Sequence, residues 1–340
     1  MDIKPLTLDD DAEMRAAFEV NRDAELVGRE QAPHWSFENF LGAMRSTDSG
    51  ERMEAFVGYV DGDVVSFGVT YLFLLDNTDK AYVEVRVDPA HQGKGHGRQM
   101  LEHLMAIAED DGRTQILAET KVPIDEVETH PNSRFLKANG FIHANVELVR
   151  YLMLPVEDAD IQTWVDSAAE KHAGGYRIET FDLDIPAELV PSLCVLMGQL
   201  AVDAPSGEVD FEEEVITPER YAEHQAMIKA MGRTVLETLA IAPDGTVAAQ
   251  STLSIPLDDS GDVWQWGTFV HREHRGRRLG LATKAANLRA LQTQFPGTKR
   301  IVTQNAETNA YMVSINELMG FGLVEASAEF VRRSEPAPGS

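Results

Sequence analysis

The stretch Val87-Asp-Pro-Ala-His-Gln-Gly-Lys-Gly-His-Gly-Arg-Gln-Met-Leu101 places glycines at three alternate positions, Gly93, Gly95 and Gly97. The preceding run "KAYVEVRV" predicts a strand, and apolar residues at helical spacing between Arg98 and Glu109 predict a helix after the loop. Glycines between a strand and a helix start leave backbone N–H groups open, and the helix dipole adds positive character there. The stretch therefore predicts an anion-binding loop, with a pyrophosphate as the expected anion.

Two other phosphate-binding motifs fit this loop less well. A P-loop has Gly-Lys followed by Ser or Thr at the helix start, whereas this chain reads Gly97-Arg98-Gln99. A dinucleotide fingerprint needs its third glycine one residue later than Gly97. A mobile glycine turn without a ligand is the alternative, but it does not explain why a Gln or Arg and further basic residues accompany the glycines twice in the chain.

The composition of the chain indicates which classes of binding partner to expect. The chain has 340 residues, with 56 acidic and 30 basic residues and a formal net charge of −26, which disfavours nucleic acid and suits a cationic substrate or simply a soluble acidic protein. The one cysteine, Cys194, excludes a disulfide framework and lies in an apolar run that predicts a buried helix. Neither a signal peptide nor a membrane-spanning segment is recognisable, so a cytoplasmic protein is expected.

The same order of elements occurs twice. Hairpin glycines Gly62 and Gly245 lie 183 residues apart, loop residues Gln92 and Arg275 also 183, and the helix-ending glycines Gly140 and Gly320 lie 180 apart. Three landmarks in matching order indicate a tandem duplication. The predicted division is a first domain over 1–154, a polar linker over 155–174 whose middle is compatible with a short helix, a second domain over 175–332 and a disordered tail over 333–340.

These motifs resemble the GNAT N-acetyltransferase superfamily. The carriers of the resemblance are Val87-Asp88-Pro89, the loop from Gln92 to Gly97, and the later Asn139-Gly140-Phe141 and Met319-Gly320-Phe321. The resemblance implies an α/β (α+β) fold of two tandem GNAT domains, each a mixed, mostly antiparallel twisted sheet flanked by helices. It also implies acetyl-CoA as co-substrate. His91 and His96 lack partners at metal-ligand spacing, so no metal site is expected.

The resemblance assigns cofactor contacts to both halves. The second loop departs from the pattern, because Arg278 stands where the middle glycine belongs, and its Cβ would crowd a phosphate or strain a loop of positive φ by ~1–3 kcal/mol. Its arginines favour phosphate binding, so the second half is either a cofactor site or a domain retained for packing. The assigned residues are Val85, Val87, Gln92, Gly93, Lys94, Gly95, His96, Gly97, Arg98 and Asn132 in the first half, and Val270, Arg275, Gly276, Arg277, Arg278, Leu279, Gly280, Asn305 and Asn309 in the second. For Asn305 and Asn309, capping of the final helix is the alternative role.

The resemblance also implies direct acetyl transfer to an amine, with a carboxylate on the strand before the loop as general base. Glu84 has that position, and a solvent-facing strand residue is its alternative reading; the second half has Gly267 there. The family commonly uses a tyrosine as general acid, and the two corresponding positions of this chain are Leu136 and Asn316. Tyr311 is therefore the alternative candidate for the general acid.

The sequence therefore predicts an acetyl-CoA-dependent N-acetyltransferase acting on the primary amine of a small molecule. The acidic runs from Asp125 to Glu128 and from Glu208 to Glu214 favour a cationic amine. The alternatives are a non-catalytic acyl-CoA-binding or regulatory protein, or an active site in the second half. Neither nucleic acid nor a membrane is an expected partner, and the protein is expected to be a monomer or a homodimer.

Overall fold

The computed structural model of the protein describes residues 1–172, 174–258 and 260–334. These residues fold into two units. Unit 1 consists of residues 1–146, 207–209 and 327–334, and unit 2 consists of the described residues of 147–206 and 210–326. Each unit therefore contains chain from both halves of the sequence.

Unit 1 has a sheet in the order β1-β2-β3-β4-β5-β12-β6, antiparallel from β1 to β4, with β4 and β5 parallel. Helices α1 and α2 pack on one face, and α3 packs on the opposite face. Its elements are β1 (Asp2–Pro5), α1 (Asp11–Glu25), α2 (Phe37–Arg45), β2 (Glu51–Val60), β3 (Asp63–Phe73), β4 (Lys80–Val87), α3 (His96–Asp110), β5 (Gln115–Val122), α4 (Pro131–Ala138) and the first part of β6 (Ile142–Met153).

Unit 2 repeats this plan in the order β12-β6-β11-β10-β9-β8-β7, again with one parallel pair, β10 with β11. Helices α6 and α8 cover one face, and α5 and α9 cover the other. Its elements are the second part of β6, α5 (Asp158–His172), β7 (Arg177–Phe181), α6 (Val190–Gly198), α7 (Leu200–Asp203), α8 (Pro218–Ala230), β8 (Arg233–Ile241), β9 (Val247–Pro256), β10 (Asp262–Val270), α9 (Leu279–Gln294), β11 (Arg300–Ala306), α10 (Ala310–Leu318) and β12 (Gly322–Arg333).

The predicted fold class is confirmed, and two local predictions explain much of it. Asp61 and Gly62 have φ angles of 52° and 97°, so the β2–β3 turn has the left-handed conformation that Asp-Gly favours in hairpins. In unit 2 the turn between β8 and β9 has Gly245 at φ 92°, and the Asp244 carboxylate accepts from the Thr246 N–H at 3.0 Å. Cys194 is buried in α6, as its apolar surroundings predict.

Two long strands each contribute to both units. Residues 147–153 of β6 pair antiparallel with β11 inside unit 2, from Glu147 opposite Ala306 to Met153 opposite Arg300. Residues 327–333 of β12 lie beside β5 inside unit 1, and there the Ser334 N–H donates to the Thr114 carbonyl at 2.9 Å. The units therefore differ from the predicted division at residues 154 and 175, because each one is completed by a strand from the other half. Of the predicted tail, Arg333 ends β12, and residues 335–340 lie outside the described residues.

Most of the predicted linker forms helix α5. Its polar residues form the exposed side of α5, whose Ile161, Trp164 and Ala168 are buried in the core of unit 2 together with Leu281 and Leu288 of α9. The polar composition of residues 158–172 thus reflects one face of an amphipathic helix. Among the described residues, none of the helices has the length and hydropathy that a membrane crossing needs.

Trp164→Ala should destabilise unit 2 by about 3–5 kcal/mol, because it removes a large side chain that is only 9% exposed from a packed core. Glu170→Ala on the exposed side of the same helix is the matched control and should change stability little. Denaturant unfolding followed by circular dichroism measures both. Equal midpoints for the two variants would mean that α5 is peripheral to the core.

Candidate active site

The parallel pair in unit 1 is short. The register joins Lys80 to Gln115, Ala81 to Ile116 and Tyr82 to Leu117, whereas β4 continues to Val87 and β5 to Val122. Beyond Tyr82 the two strands therefore separate, and we call the space between residues 83–87 and 118–122 the β4–β5 gap. The backbone groups that face a gap of this kind need partners that the neighbouring strand does not supply.

The glycine loop follows the end of β4 at this gap. Gly93 and Gly95 have φ angles of 74° and 87°, and a Cβ added to either would meet no heavy atom within 4 Å. Their backbone conformation thus requires glycine, and the space beside them is open. Gly97 has a different role, because a Cβ there would lie 3.4 Å from Val87 Cγ2 and 3.7 Å from Phe135 Cζ. It allows α3 to pack closely on β4 and α4.

Helix α3 begins in the open. Its N-cap is Gly95, and no side chain caps its first turn, whereas side chains of Asp10, Ser36, Thr217 and Asn309 cap α1, α2, α8 and α10. An uncapped first turn leaves N–H donors and the positive end of the helix dipole available to an anion.

The predicted side chains around this loop have short-range partners. The Gln92 amide donates to the Val87 carbonyl at 3.2 Å, which ties the loop to the end of β4. Lys94 donates to the Ala90 carbonyl at 3.0 Å, and Arg98 donates to the Asn139 side chain at 3.2 Å. The pKa of His96 is lowered, mainly by burial. These contacts hold basic groups at the start of α3, where they favour a bound anion.

Glu84 lies on the face of β4 that α1 and α2 cover, with 32% of its side chain exposed and its carboxylate 3.4 Å from the Arg86 guanidinium. Burial by the surrounding protein raises its pKa, Arg86 lowers it, and the carboxylates of Glu25 and Glu119 raise it further. The strand alternation predicted for this residue is observed, since Val83 and Val87 are buried on the opposite face. The carboxylate is thus a partly accessible proton acceptor beside the β4–β5 gap.

The second loop has nearly the same backbone. Gly276 has a φ of 80°, and Arg278 is the N-cap of α9 in the left-handed region, at φ 54° and ψ 27°. A Cβ on Gly280 would lie 3.5 Å from Ile315 and 3.6 Å from Val270, which repeats the packing at Gly97. The prediction that Arg278 takes a position of positive φ is correct. The left-handed loop is retained with a residue that adopts it at a cost.

The arginines of the second loop bond to protein acceptors. Arg275 contacts Asp203 at 2.6 Å and Arg278 donates to the Ser167 carbonyl at 3.1 Å. Arg277 donates to the Glu273 carbonyl at 2.9 Å. Helix α9 also lacks a side-chain cap, but its first turn begins with the buried Leu279 and is more enclosed than the start of α3. The phosphate-binding role predicted for these arginines stays a prediction.

The other predicted residues are spread over both units. Asn132 donates to the Thr120 hydroxyl at 3.1 Å at the start of α4. Asn309 caps α10 by accepting from the Met312 N–H at 3.2 Å, which is the alternative role foreseen for it. Asn305 is buried and accepts from Asn316 at 2.9 Å. Tyr311 is 85% exposed, so it does not pack against its helix, and its role as an acid stays a prediction.

Unit 2 has a buried polar chain that sequence reasoning missed. Lys284 of α9 donates to Asn316 at 2.8 Å, and burial lowers its pKa to about 7. By the repeat, Lys284 and Asn316 correspond to Leu101 and Leu136 of unit 1, which are both buried and apolar. Lys284 and Asn316 therefore replace two apolar residues. The signal for this polar chain in the sequence was Lys284, because the predicted helix around it has few other charged residues.

A second missed residue is Glu237 on β8, which is 4% exposed. Both of its carboxylate oxygens accept from the Thr252 hydroxyl, at 2.9 and 2.8 Å, and burial raises its pKa to about 7. The signal in the sequence was a lone acidic residue within the apolar run "TVLETLAIA". It was hidden because the strand alternation alone does not show which face is closed to solvent.

Comparison with known proteins agrees with this geometry. Residues 14–131 match the family model described as the acetyltransferase (GNAT) family. The tandem GNAT protein from the clavulanic acid biosynthesis pathway, solved without acetyl-CoA, is 21% identical with a TM-score of 0.76, and the match covers 99% of both chains. A GCN5-related N-acetyltransferase from Sphaerobacter thermophilus is 15% identical with a TM-score of 0.63, over 99% of this chain and 96% of that one. No curated protein matches the chain.

The class of protein follows from the open glycine loop, the β4–β5 gap and the family match: this is a fold that supports acetyl transfer from an acyl-CoA in general. Residues 14–131 match the GNAT-family model, and the chain as a whole has the fold of the tandem GNAT protein. The resemblance found in the sequence is thereby confirmed.

The titration of Glu237 predicts a pH-dependent effect of Glu237→Gln on stability. Since the folded-state pKa of about 7 lies above the usual 4.5, wild-type stability falls as pH rises through this range, and the glutamine variant lacks that loss. The variant should therefore gain on wild type by up to about 3 kcal/mol between pH 4.5 and pH 8. Denaturant unfolding of both proteins at pH 5 and pH 8 measures the gain. A difference that does not change with pH would show that Glu237 titrates normally.

Proposed function

We propose that unit 1 is an acetyl-CoA-dependent N-acetyltransferase that transfers acetyl from the thioester directly to the primary amine of a small molecule. The observation that carries the proposal is that one strand, β4, brings a partly accessible carboxylate, Glu84, and an uncapped glycine loop to the same gap. The amine needs a proton acceptor, and CoA needs an anion site. A short segment of chain with one of these at each end can bring the amine and the thioester together.

The residues at the gap suit the cofactor. The N–H groups from Gly93 to Gly97 would hold the pyrophosphate, and Lys94 and Arg98 add positive charge beside it. The edge of β4 beyond Tyr82 offers backbone partners for an extended amide chain, and the Val85 N–H is the donor proposed for the thioester carbonyl oxygen. The cofactor supplies the activated acetyl group, and the protein supplies position and proton transfer.

Glu84 acts as the general base in this proposal. An ammonium has no lone pair, so the amine must lose a proton before it can attack the thioester. Surroundings that raise the pKa of Glu84 improve it as an acceptor near neutral pH, and the Arg86 guanidinium limits the shift. Unit 1 has Leu136 where the family's acid would be, so water protonates the departing thiolate.

The charge around Glu84 favours a cationic acceptor. Glu25 from α1 and Glu119 from β5 act on the same carboxylate, and the chain as a whole has a net charge of −26. A negative site attracts an ammonium-bearing molecule and speeds its association at low salt.

The proposal extends to a cytoplasmic monomer or homodimer, on the composition alone. The apolar Leu136 favours a second candidate, an acyl-CoA-binding protein without turnover.

Gly95→Glu should abolish acetyl-CoA binding to unit 1, because it adds bulk and negative charge beside the phosphates. Gly112→Glu is the matched control, since Gly112 also has a positive φ, 82°, and open space around it, but lies after α3. At about 100 times its dissociation constant, acetyl-CoA should stabilise wild type and the control by roughly 2.7 kcal/mol more than the Gly95 variant. The readout is the thermal shift, and an equal shift in all three would place the main site elsewhere.

Glu84→Gln should slow acetyl transfer by ~10²–10⁴-fold at neutral pH, with partial recovery at high pH where the free amine is abundant. Glu102→Gln on the exposed side of α3 is the control. The assay measures release of the CoA thiol over a panel of primary amines. No turnover with any amine, together with normal cofactor binding, would favour the non-catalytic candidate.

Replacing Arg275 and Arg278 with Ala tests the remaining alternative, an active site in the second half. These changes should leave most turnover intact if unit 1 carries the reaction. Activity that is lost in the arginine variant and kept in Glu84→Gln would assign the reaction to unit 2.

A further inference from the structure

Ion pairs tie the second loop to helix α7. Asp203, the last residue of α7, accepts from the Arg272 Nε atom with both carboxylate oxygens, at 2.8 and 2.9 Å, and from the Arg275 Nη2 atom at 2.6 Å. The hydrogen bond from Arg272 and the charges of both arginines hold the pKa of Asp203 below its usual range, so the carboxylate is ionised at neutral pH. Its side chain is 12% exposed, whereas both arginines are about half exposed. One enclosed carboxylate thus takes two cationic groups at the loop.

This tie is an addition to a loop that is otherwise alike in both units. In unit 1 the Gln92 amide donates to the Val87 carbonyl at 3.2 Å, and in unit 2 the Arg275 Nε atom donates to the Val270 carbonyl at 3.4 Å. Both side chains therefore fasten the loop to the end of the preceding strand. The guanidinium of Arg275 has further N–H groups, and one of these reaches Asp203. The arginine in place of a glutamine is thus what gives the loop its contact with α7.

The other end of α7 lies beside β10. Leu200, the first residue of α7, packs against the core cluster that contains Phe269, and its Cδ2 atom is the nearest heavy atom, at 3.8 Å, to a Cβ built on Gly267. Gly267 lies past Trp264, the last β10 residue that pairs with β11. It therefore borders the space where these strands separate, which we call the β10–β11 gap. Helix α7 thus reaches from the edge of this gap to the second loop.

Helix α7 is too short to hold its position by itself. It has four residues, its N-cap Gln199 forms no side-chain cap, and Val202 on its surface is 44% exposed. Two backbone hydrogen bonds, from Asp203 to Gln199 and from Ala204 to Leu200, close its turn. A helix of this length does not stay folded by its own hydrogen bonds. The apolar contact of Leu200 and the ion pairs of Asp203 therefore fix its two ends, and loss of the ion pairs would release the end nearer the loop.

An anion at the second loop would compete with Asp203. Arg275 belongs to the loop itself, whereas Asp203 reaches it from another element. A guanidinium binds a carboxylate and a phosphate with the same fork of N–H groups, so the two anions are alternatives for it. A pyrophosphate carries more negative charge than one carboxylate, which makes it the stronger electrostatic partner. Binding of a pyrophosphate at the loop would therefore take Arg275 from Asp203.

We propose that α7 is a strap over the edge of the β10–β11 gap, and that a phosphate-bearing anion at the second loop opens it by taking Arg275 from Asp203. Leu200 then covers Gly267 until the loop is occupied. Coupling of this kind is reciprocal, so the closed strap weakens anion binding by the same factor by which the anion favours opening. The inference goes beyond the acetyl transfer proposed for unit 1, because both the strap and the loop lie in unit 2.

The test follows the strap with a spin label and inorganic pyrophosphate as the probe. The full chain carries Gly95→Glu, so that the first loop does not take up the probe. Since Cys194 is the one cysteine of the chain and is buried, Val202→Cys provides a single accessible thiol on α7 for a nitroxide. Pyrophosphate should increase the mobility of this label in electron paramagnetic resonance spectra. Val195→Cys on α6, at a position that is 61% exposed, is the matched control, and its spectrum should stay unchanged.

Asp203→Asn should leave the label at position 202 mobile without pyrophosphate and strengthen pyrophosphate binding at least fivefold in calorimetry, a factor at the low end of roughly 5–150-fold couplings. Asp184→Asn removes an exposed carboxylate instead and should do neither. Arg275→Ala should abolish the response of the label to pyrophosphate.

Three outcomes would overturn the proposal: no response at position 202 to millimolar pyrophosphate, equal responses at positions 195 and 202, or pyrophosphate binding that is unchanged or weaker in Asp203→Asn. Should Asp203→Asn not fold, the labelled proteins that keep Asp203 decide the question. None of these measurements involves turnover, so a failure of the activity proposed for unit 1 would leave their outcome unaffected.

Discussion

The short parallel pairing between β4 and β5 is the constraint on which the rest of the structure depends. Three residue pairs hold these strands together, and past Tyr82 they separate. The separation exposes backbone that a full sheet would have satisfied, and it opens beside the uncapped start of α3. Unit 2 repeats the arrangement, with three pairs between β10 and β11 and an uncapped α9. The helices and hairpins of each unit, together with strands β6 and β12, support the separated strands.

One backbone carries two different sets of polar residues. Unit 1 has a partly exposed carboxylate, Glu84, and the apolar Leu101 and Leu136, whereas unit 2 has the buried Glu237 on β8 and a lysine–asparagine chain around Asn316. Burying such groups costs free energy unless they are paired, so their presence in unit 2 is not what simple retention for packing would leave. The two units thus share one arrangement of strands and place their charged residues differently on it.

The sequence was informative where structure is local. Glycine spacing predicted the left-handed loop, the Asp61-Gly62 pair predicted its turn, and Arg278 was expected at a position of positive φ. Two features could not be predicted from the sequence, for physical reasons. Strand pairing between β6 and β11 depends on residues far apart in the chain, and the alternation of β6 fits either neighbour equally well. The environment of Glu237 depends on α6 and α8 covering one face, which periodicity within β8 does not report. Polar composition also hid α5, because only Ile161, Trp164 and Ala168 show its buried side.

The strand that completes unit 1 has a consequence for how the chain is made. Ser327 of β12 donates to Glu119 of β5 across 208 residues of sequence, so β12 is synthesised well after β5. One edge of β5 therefore stays uncovered until residues 327–333 have been synthesised. An exposed edge of this kind is a template for wrong pairing. The sheet of unit 1 can therefore be completed only after the second half of the chain has been translated through β12.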